Sequence, residues 1–389
     1  MIELREHQKT VINTLSEYNR GQIIVPTGGG KTMCMIEDAK RQFKSSITKT
    51  IVVVAPRILL ASQLSSEFLE FIDDVVVLHV HSGETHHYST TNSHKIRVWH
   101  NNNIHKKIIF TTYHSLHKIQ EADINIDTIY FDEAHNSIQK NFIPAVEYFS
   151  MYANRCYFFT ATPKHSKTPF KAGMNDSDIF GNVLINVPAP KLVKEGHILP
   201  PKVVIKKIDV VDDSRFGYEK DCDHVISTID DIDVDKILIC ARSTKQIVSL
   251  TSLSDFCIQL KDRGYNWMYI TAKTGAIING KKVNRESFFN TLNSWGKGNE
   301  RFVVLHHSIL SEGINVSGLE AALFLRSMDY IGISQTIGRV IRKGNKSKTY
   351  GLVCIPCYDK VGITTSRKVE AVVDTVFNKG QAAVSVITK

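Results

Sequence analysis

Short apolar runs alternate with helical patterns along the first half of the chain. The runs are rich in β-branched and aromatic residues and are apolar on both faces, which is typical of buried parallel strands. They read GQIIV, TIVVVAP, KKIIFTT, DTIYFDEAH and CYFFTATP. The segments KTMCMIEDAKRQF and ILLASQLSSEFLEF have the spacing of helices. Strands that alternate with helices predict an α/β domain with a doubly wound parallel sheet.

The second half repeats this pattern. KILICA, WMYITA, RFVVLHH, AALFLRS and TYGLVCIPC predict strands, and STKQIVSLTSLSDFCIQLKDRG and NRESFFNTLNSWG predict helices. The intervening stretch NVPAPKLVKEGHILPPKVV is rich in proline, which disfavours helix and sheet interiors. We therefore expect two α/β domains, residues 1–200 and 201–389.

Composition narrows the class of protein. No apolar run approaches the roughly 20 residues of a membrane span, and the N-terminus does not resemble a signal peptide. The seven cysteines are scattered, which fits a reducing compartment. We expect a soluble cytoplasmic protein. The net charge of +9 favours a polyanionic partner, and the basic tail after Arg339 is a candidate nucleic-acid face. The acidic run 209–235 is interpreted as a solvated edge.

The stretch IIVPTGGGKTM ends in the glycine-lysine-threonine of a phosphate-binding loop, placed between a strand and a helix. Val25 stands where the usual pattern has its first glycine, and we interpret it as the end of the strand. Glycines let backbone amides turn toward a phosphate, and the helix N-terminus adds positive charge. The alternative is a glycine-rich turn that binds nothing. The predicted phosphate site comprises Pro26, Thr27, Gly28, Gly29, Gly30, Lys31 and Thr32.

The strand IYFDEAH would deliver two carboxylates to the carboxyl end of the sheet, where ligands bind in such folds. Asp132, with the hydroxyl of Thr32, is the predicted ligand of Mg²⁺. Glu133 would orient and deprotonate the attacking water. Together with Lys31, these residues predict a site for ATP and Mg²⁺. The alternative is an acidic strand end that is paired with lysines.

The strings PTGGGKT, FDEAH, FTATP and QTIGRVIR, in this order, resemble the motifs of superfamily 2 helicases and translocases with a DEAH box. The resemblance implies two tandem RecA-like domains with an ATP cleft between them. It implies that Arg5 and Gln8 of LREHQ read the adenine and that Gly313 of motif V contacts the nucleotide. His135, Thr160 and Thr162 would couple the carboxylates to nucleic acid, although threonines at a strand end can also serve only as caps.

Motif VI contributes Gln335, Arg339 and Arg342, which are spaced about one helical turn apart and are expected to share one face. In the family that this chain resembles, this face points at the γ-phosphate, and an arginine neutralises charge in the transition state.

Nucleic-acid contacts should be made to the backbone, since a translocase ignores sequence. The candidates lie just after predicted strands, and each could equally be ordinary surface: Arg57, Thr111, Thr112, Arg242, Ser243, Lys273 and Thr274. The basic insertion YITAKTGAIINGKKVNRES is a further candidate, as a wedge or clamp loop.

Several strings look similar to DNA-acting relatives: phage UvsW-type branch-migration helicases, repair and transcription-factor helicases, and type III restriction translocases. We therefore expect a monomeric ATP-dependent DNA helicase or translocase that acts in replication, recombination or repair. It would be a nucleic-acid-stimulated ATP hydrolase, of possible phage origin, that works with accessory replication or repair proteins. The alternatives are an RNA helicase, or an ATP-gated remodeller that binds nucleic acid without translocating.

Overall fold

The computed structural model describes residues 3–46, 48–208, 215–307, 316, 318–344, 348–357 and 360–388. The chain divides into two compact units. The first unit comprises Met1–Pro188 and Ala382–Lys389, and the second comprises Ala189–Gln381. The division lies earlier than residue 200, and the last residues of the chain return to the first unit. In the part of the chain that the structure describes, no helix is both long and apolar enough to cross a membrane.

The first unit alternates strands and helices. Its strands before residue 188 are β1 (Arg20–Ile24), β2 (Thr50–Ala55), β3 (Val76–Val80), β4 (Lys107–Thr112), β5 (Thr128–Phe131), β6 (Arg155–Thr160), β7 (Lys164–Ser166) and β8 (Val183–Asn186). Its helices are α1 (Glu6–Glu17), α2 (Lys31–Ser45), α3 (Ile58–Leu69), α4 (Ser93–Asn102), α5 (Leu116–Ala122), α6 (Ile143–Tyr152) and α7 (Ser177–Phe180), with a 3₁₀ turn at Ala134–Asn136.

Seven of these strands form one parallel sheet in the order β3-β4-β2-β5-β6-β1-β8. All residues of β2, β4 and β5 are buried, as expected for strands covered by helices on both faces. The rings of Phe131 and Phe158 stack across β5 and β6 with their centroids 4.9 Å apart. Because β5, β6 and β1 are neighbours, the segments that follow them meet at one edge of the sheet.

The second unit contains β9 (Pro201–Lys207), β10 (Lys236–Cys240), β11 (Asn266–Thr271), β12 (Gly275–Ile278), β13 (Lys281–Val283), β14 (Phe302–His306), β15 (Ala321–Phe324) and β16 (Gly351–Cys357). Its helices are α8 (Ala189–Lys194), α9 (Gly217–Ile232), α10 (Thr244–Leu253), α11 (Phe256–Asp262), α12 (Arg285–Lys297), α13 (Tyr330–Val340) and α14 (Lys360–Val373), followed by a π-helical turn at Asp374–Asn378. The sheet order is β13-β12-β11-β14-β10-β15-β16-β9. The pairs β11–β12 and β12–β13 are antiparallel, and the other pairs between these strands are parallel.

Two elements explain where the chain divides. Strand β9, in the proline-rich stretch, pairs in parallel with the whole of β16. Helix α8, which the sequence places in the first domain, packs against the turn Asp374–Asn378. Proline is tolerated at the start of an edge strand such as β9. The proline-rich stretch, which suggested a linker, therefore contains the start of a strand.

The acidic run is not only a solvated edge. Its residues 217–232 form α9, which buries Cys222, Val225, Ile226 and Ile229 on one face. Its residues 209–214 lie outside the described part of the chain. The single helix predicted for 243–264 is two helices, because the chain is extended at Ser254, between α10 and α11.

A last strand, β17 (Ser385–Ile387), pairs in parallel with β7 in the first unit. The N–H of Ser385 donates to the carbonyl of Pro163 at 3.1 Å, and the N–H of Lys167 donates to the carbonyl of Ile387 at 2.9 Å. The C-terminal strand therefore attaches to the segment that directly follows the FTATP motif.

Candidate active site

The glycine loop lies between β1 and α2. Gly28 and Gly30 have φ angles of 84° and 83°, a region that side-chain-bearing residues avoid, and Gly30 is the N-cap of α2. The N–H of Val25 donates to the carbonyl of Thr160 at 3.0 Å, and the Val25 side chain is buried. The valine thus extends the hydrogen bonding of the sheet, and the turn is made by the residues after it.

Three side chains at the N-terminal end of helix α1 contact the carbonyl groups of the glycine loop. His7 Nε2 lies 2.7 Å from the carbonyl of Gly29, which means that this nitrogen carries the proton. Gln8 Nε2 donates to the carbonyl of Gly30 at 3.4 Å, and Arg5 Nη1 donates to that of Gly28 at 3.5 Å. The first turn of α1 therefore holds the carbonyls of all three loop glycines.

The sequence motif predicts Arg5 and Gln8 at the nucleotide, and His7 is an additional contact to the loop that the motif does not indicate. The sequence contains a signal for this contact, because the helical spacing places His7 on the same face of α1 as Val11 and Leu15, and that face is buried. A histidine at a core position needs a polar partner, and here that partner is the loop.

The two carboxylates follow β5, at the same edge of the sheet as the glycine loop. Lys31 Nζ lies 3.6 Å from Glu133 Oε1, and both side chains are only 10% exposed. Glu133 has a φ of 45°, a strained conformation for a residue with a side chain, and such strain is concentrated at functional sites. The buried hydroxyl of Tyr113 donates to the carbonyl of Asp132 at 2.9 Å, and sequence reasoning had not predicted this contact.

Burial dominates the electrostatics of this edge. Burial, together with the neighbouring Glu133 carboxylate, raises the pKa of the Asp132 carboxyl to about 7, while Lys31 opposes the shift. The raised pKa shows that two negative charges so close together are unfavourable in this buried site, and Lys31 offsets only part of their repulsion. Such an arrangement favours the binding of a cation.

The three predicted coupling residues lie together. His135 Nδ1 is 3.1 Å from Thr160 Oγ1, 3.4 Å from Thr162 Oγ1 and 3.5 Å from Glu133 Oε2. The N–H of Thr162 donates to Thr160 Oγ1 at 3.1 Å. A continuous polar path therefore joins the carboxylate of Glu133 to the segment after β6.

These residues fit a nucleotide with Mg²⁺. Thr27 Oγ1 is buried and has no hydrogen-bond partner among the described residues, so the loop holds a polar group that a ligand would satisfy. The hydroxyl of Thr32, at the start of α2, and the carboxylate of Asp132 are hard oxygen donors, the kind of ligand that Mg²⁺ prefers.

In the second unit, Gln335 and Arg339 lie one turn apart on α13, and both are buried. Arg342 lies beyond the helix, which ends at Val340, so the expectation that all three share one helical face is corrected for Arg342. Burial and the guanidinium of Arg339 lower the pKa of His306 well below its usual value. Gly313 lies outside the described residues.

The nucleic-acid candidates of the first unit differ in accessibility. Arg57 is exposed at the N-cap of α3. Thr111 and Thr112 are buried, and Thr111 Oγ1 donates to the carbonyl of Val80 at 2.9 Å. Successive residues of a strand point to opposite faces, and both faces of this sheet are covered, so both side chains are buried. Their contact with nucleic acid stays a prediction.

The candidates of the second unit are divided in the same way. Lys273 is exposed, whereas Thr274 Oγ1 lies 2.6 Å from Thr271 Oγ1 within its own turn. Arg242 forms an ion pair of 3.1 Å with Asp221, and Ser243 caps α10 by accepting the N–H of Gln246. Thr274, Arg242 and Ser243 therefore each have a polar partner within the second unit.

Comparison with known proteins places the fold. Residues 1–165, which include the glycine loop and both carboxylates, match the family model described as the type III restriction enzyme, res subunit. The solved structure of the ATP-dependent Type ISP restriction-modification enzyme LlaBIII bound to DNA is 19% identical in sequence, with a TM-score of 0.76 over 100% of this chain. The fold is two tandem RecA-like domains.

A second structure agrees. A nuclease-deletion mutant of the Type ISP enzyme LlaGI, in complex with a DNA substrate mimic, aligns over 98% of the chain with a TM-score of 0.69 and 19% identity. The chain spans only 31% and 30% of the lengths of these two proteins. No curated protein sequence matches the chain significantly. At this identity the likeness shows the RecA-like architecture and leaves activity to be argued from the site.

Proposed function

We propose that the protein is an ATP-dependent DNA translocase or helicase of superfamily 2. The observation that supports this most strongly is the meeting of Lys31 and Glu133 at 3.6 Å, at the edge of a parallel sheet where a glycine loop enters a helix. A phosphate-binding loop opposed by buried carboxylates is the arrangement that nucleotide hydrolysis requires.

Each residue of the site has a proposed role. Amides of the loop and Lys31 would bind the β- and γ-phosphates, and Thr32 and Asp132 would hold Mg²⁺. The bound ion would neutralise charge on the phosphate oxygens. Glu133 would orient the attacking water and take its proton as the water oxygen bonds to the γ-phosphorus and ADP leaves. Gln335, Arg339 and Arg342 of the second domain would contribute to the same reaction, which remains a prediction.

The proposal of DNA as the partner rests on the net charge of +9 and on the likeness to two enzymes whose structures contain DNA or its mimic. Within this proposal, the path from Glu133 through His135 to Thr160 and Thr162 would transmit the state of the nucleotide to the DNA. The finer roles in unwinding or branch migration, and the similarity to UvsW-type helicases, stay predictions.

The decisive experiment is a stimulation panel. ATP hydrolysis is measured without nucleic acid and with single-stranded DNA, duplex DNA, forked DNA and RNA. We expect DNA to stimulate ATP hydrolysis. We also expect the protein to displace one strand of a tailed duplex, or the third strand of a DNA triplex. Stimulation by RNA alone would identify an RNA helicase instead, and turnover that no nucleic acid changes would identify an ATP-gated remodeller.

The role of Glu133 is tested separately. Glu133→Gln should lower kcat by at least about 10²-fold, the scale of general-base catalysis, while ATP still binds. Glu147→Gln, an exposed carboxylate on α6, is the matched control and should hydrolyse ATP normally. Normal turnover by the Glu133 variant would show that another group activates the water.

A further inference from the structure

The chain builds a hairpin between β11 and α12, at the edge of the second sheet. Strands β12 and β13 are joined by Asn279 and Gly280, which have φ angles of 46° and 81°. An Asn-Gly pair with two positive φ angles is the signature of a type I′ turn, whose twist matches that of the flanking strands. The insertion is therefore an ordered hairpin.

The turn is fastened to the neighbouring strand. The N–H of Asn279 donates to the carbonyl of Trp267 at 2.9 Å, and Asn279 Oδ1 accepts the N–H of Trp267 at 2.8 Å. Asn279 Nδ2 donates to Asn266 Oδ1 at 2.8 Å. Because one side chain and its own backbone both bind the start of β11, the direction of the hairpin is set by the sheet.

The hairpin presents positive charge on both of its faces. Lys281 pairs with Ile278 and Lys282 with Ile277, and residues paired across strands share a face. The two adjacent lysines therefore point to opposite faces. Both are exposed, as is Lys273 in the preceding turn.

The hairpin lies in a stretch without acidic residues, bounded by Asp262 and Glu286. Residues 263–285 contain three lysines and two arginines but no aspartate or glutamate. Among the residues that the structure describes, Lys273, Lys281 and Lys282 form no ion pair. Unpaired lysines on both sides of a thin element are complementary to two phosphate backbones.

We propose that the β12–β13 hairpin binds the sugar-phosphate backbone of DNA on both of its faces, through Lys281 on one face and Lys282 on the other. The inference rests on the proposed function and specifies its DNA-contacting surface. Lysines on an edge strand also prevent sheets from pairing with one another, and the experiment separates the two roles.

The test compares the full-length Lys281→Ala/Lys282→Ala variant with a control, Lys261→Ala/Lys297→Ala, which removes two exposed lysines from helices α11 and α12. Fluorescence anisotropy gives the affinity for a forked DNA over a range of salt concentrations. Each lost phosphate contact lowers the steepness of log K against log salt by about 0.9 on duplex DNA and about 0.7 on single strands. We expect the hairpin variant to lose about 1.5 and the control to match the wild type.

Single variants at Lys281 and Lys282 should each lose about half of that effect, whereas an effect at only one of them would overturn the two-faced contact. An unchanged salt dependence would overturn the inference. New aggregation in light scattering would then show that the lysines protect the edge of the sheet. ATP hydrolysis without DNA should be unchanged in all variants. Failure of the wild type to hydrolyse ATP or to bind DNA would instead refute the proposed function.

Discussion

A buried ion pair holds α2, which starts at the phosphate loop, against the sheet. Asp38 on α2 is fully buried and accepts from both terminal nitrogens of Arg155, each at 3.0 Å, and from the hydroxyl of Tyr130 at 2.5 Å. Arg155→Met keeps much of the side-chain volume but removes both donors. The carboxylate of Asp38 would then remain buried with Tyr130 as its chief partner.

Arg155→Met should lower the free energy of unfolding by an amount that follows from the contacts of Arg155. Removing one partner of a buried ion pair destabilises a protein by about 3–5 kcal/mol. The second acceptor of Arg155, the carbonyl of Leu15, also receives the hydroxyl of Tyr157 at 2.8 Å and so stays satisfied. We therefore expect the lower part of the range, about 3 kcal/mol. At a urea m-value of about 2 kcal/mol/M, the midpoint for the first unit falls by about 1.5 M.

The assay is urea unfolding of the full chain, followed by the fluorescence of Trp99 in a background in which Trp267 and Trp295 are phenylalanine. Lys118→Met breaks an exposed pair with Glu121 and serves as the control, with an expected cost below about 0.5 kcal/mol. Adding Asp38→Leu to Arg155→Met should recover part of the loss, because no buried carboxylate is then left unpaired. The recovery is partial because the buried hydroxyl of Tyr130 loses its acceptor. Equal midpoints for the Arg155 and Lys118 variants would refute the reasoning.

Three further substitutions test the phosphate loop, the contact to Asp132 and a buried lysine of the second unit. Gly30→Ala forces a side chain onto a residue with a φ of 83°, so the affinity for a fluorescent ATP analogue should fall at least tenfold. The control is Gly264→Ala, where φ is 76° and no atom lies within 4 Å of the added Cβ, and this variant should bind the analogue normally. Tyr113→Phe leaves the carbonyl of Asp132 without its donor, and a thermal midpoint lowered by about 2–4 °C is expected, whereas an unchanged midpoint would show that the bond contributes nothing. Burial lowers the pKa of Lys348 to about 8, so that between about pH 8 and 10.5 the unfolded state binds more protons than the folded state. The free energy of unfolding of the wild type, relative to that of Lys348→Met, should therefore rise over this pH range, and a constant difference in urea titrations would contradict the prediction.

Local sequence patterns were sufficient for the centre of each sheet. Runs such as TIVVVA are apolar throughout because both faces are covered, and the glycines of the loop are needed where φ is positive. The carboxylates of Asp132 and Glu133 could be placed because a parallel strand presents its carboxyl end to the ligand.

Contacts that depend on long-range packing were not predictable in this way. The bond from His7 to Gly29 needs α1 to lie beneath the loop, and the bond from Tyr113 to Asp132 needs two segments to pack together. Periodicity indicates which face of an element is buried but not which partner covers it. The same limit explains why Thr111, at the end of a strand, was expected at the surface and is buried.

The return of the chain through β17 makes the second RecA-like unit an insertion within the first. Helix α8 and the turn Asp374–Asn378, near the two ends of the insertion, pack together inside that unit, as in inserted domains whose termini lie close. A fragment cut at residue 188 would lack β17 and leave β7 without its partner. The first unit is therefore a discontinuous module: to transplant it into another protein, or to permute the chain, both of its segments have to be moved together.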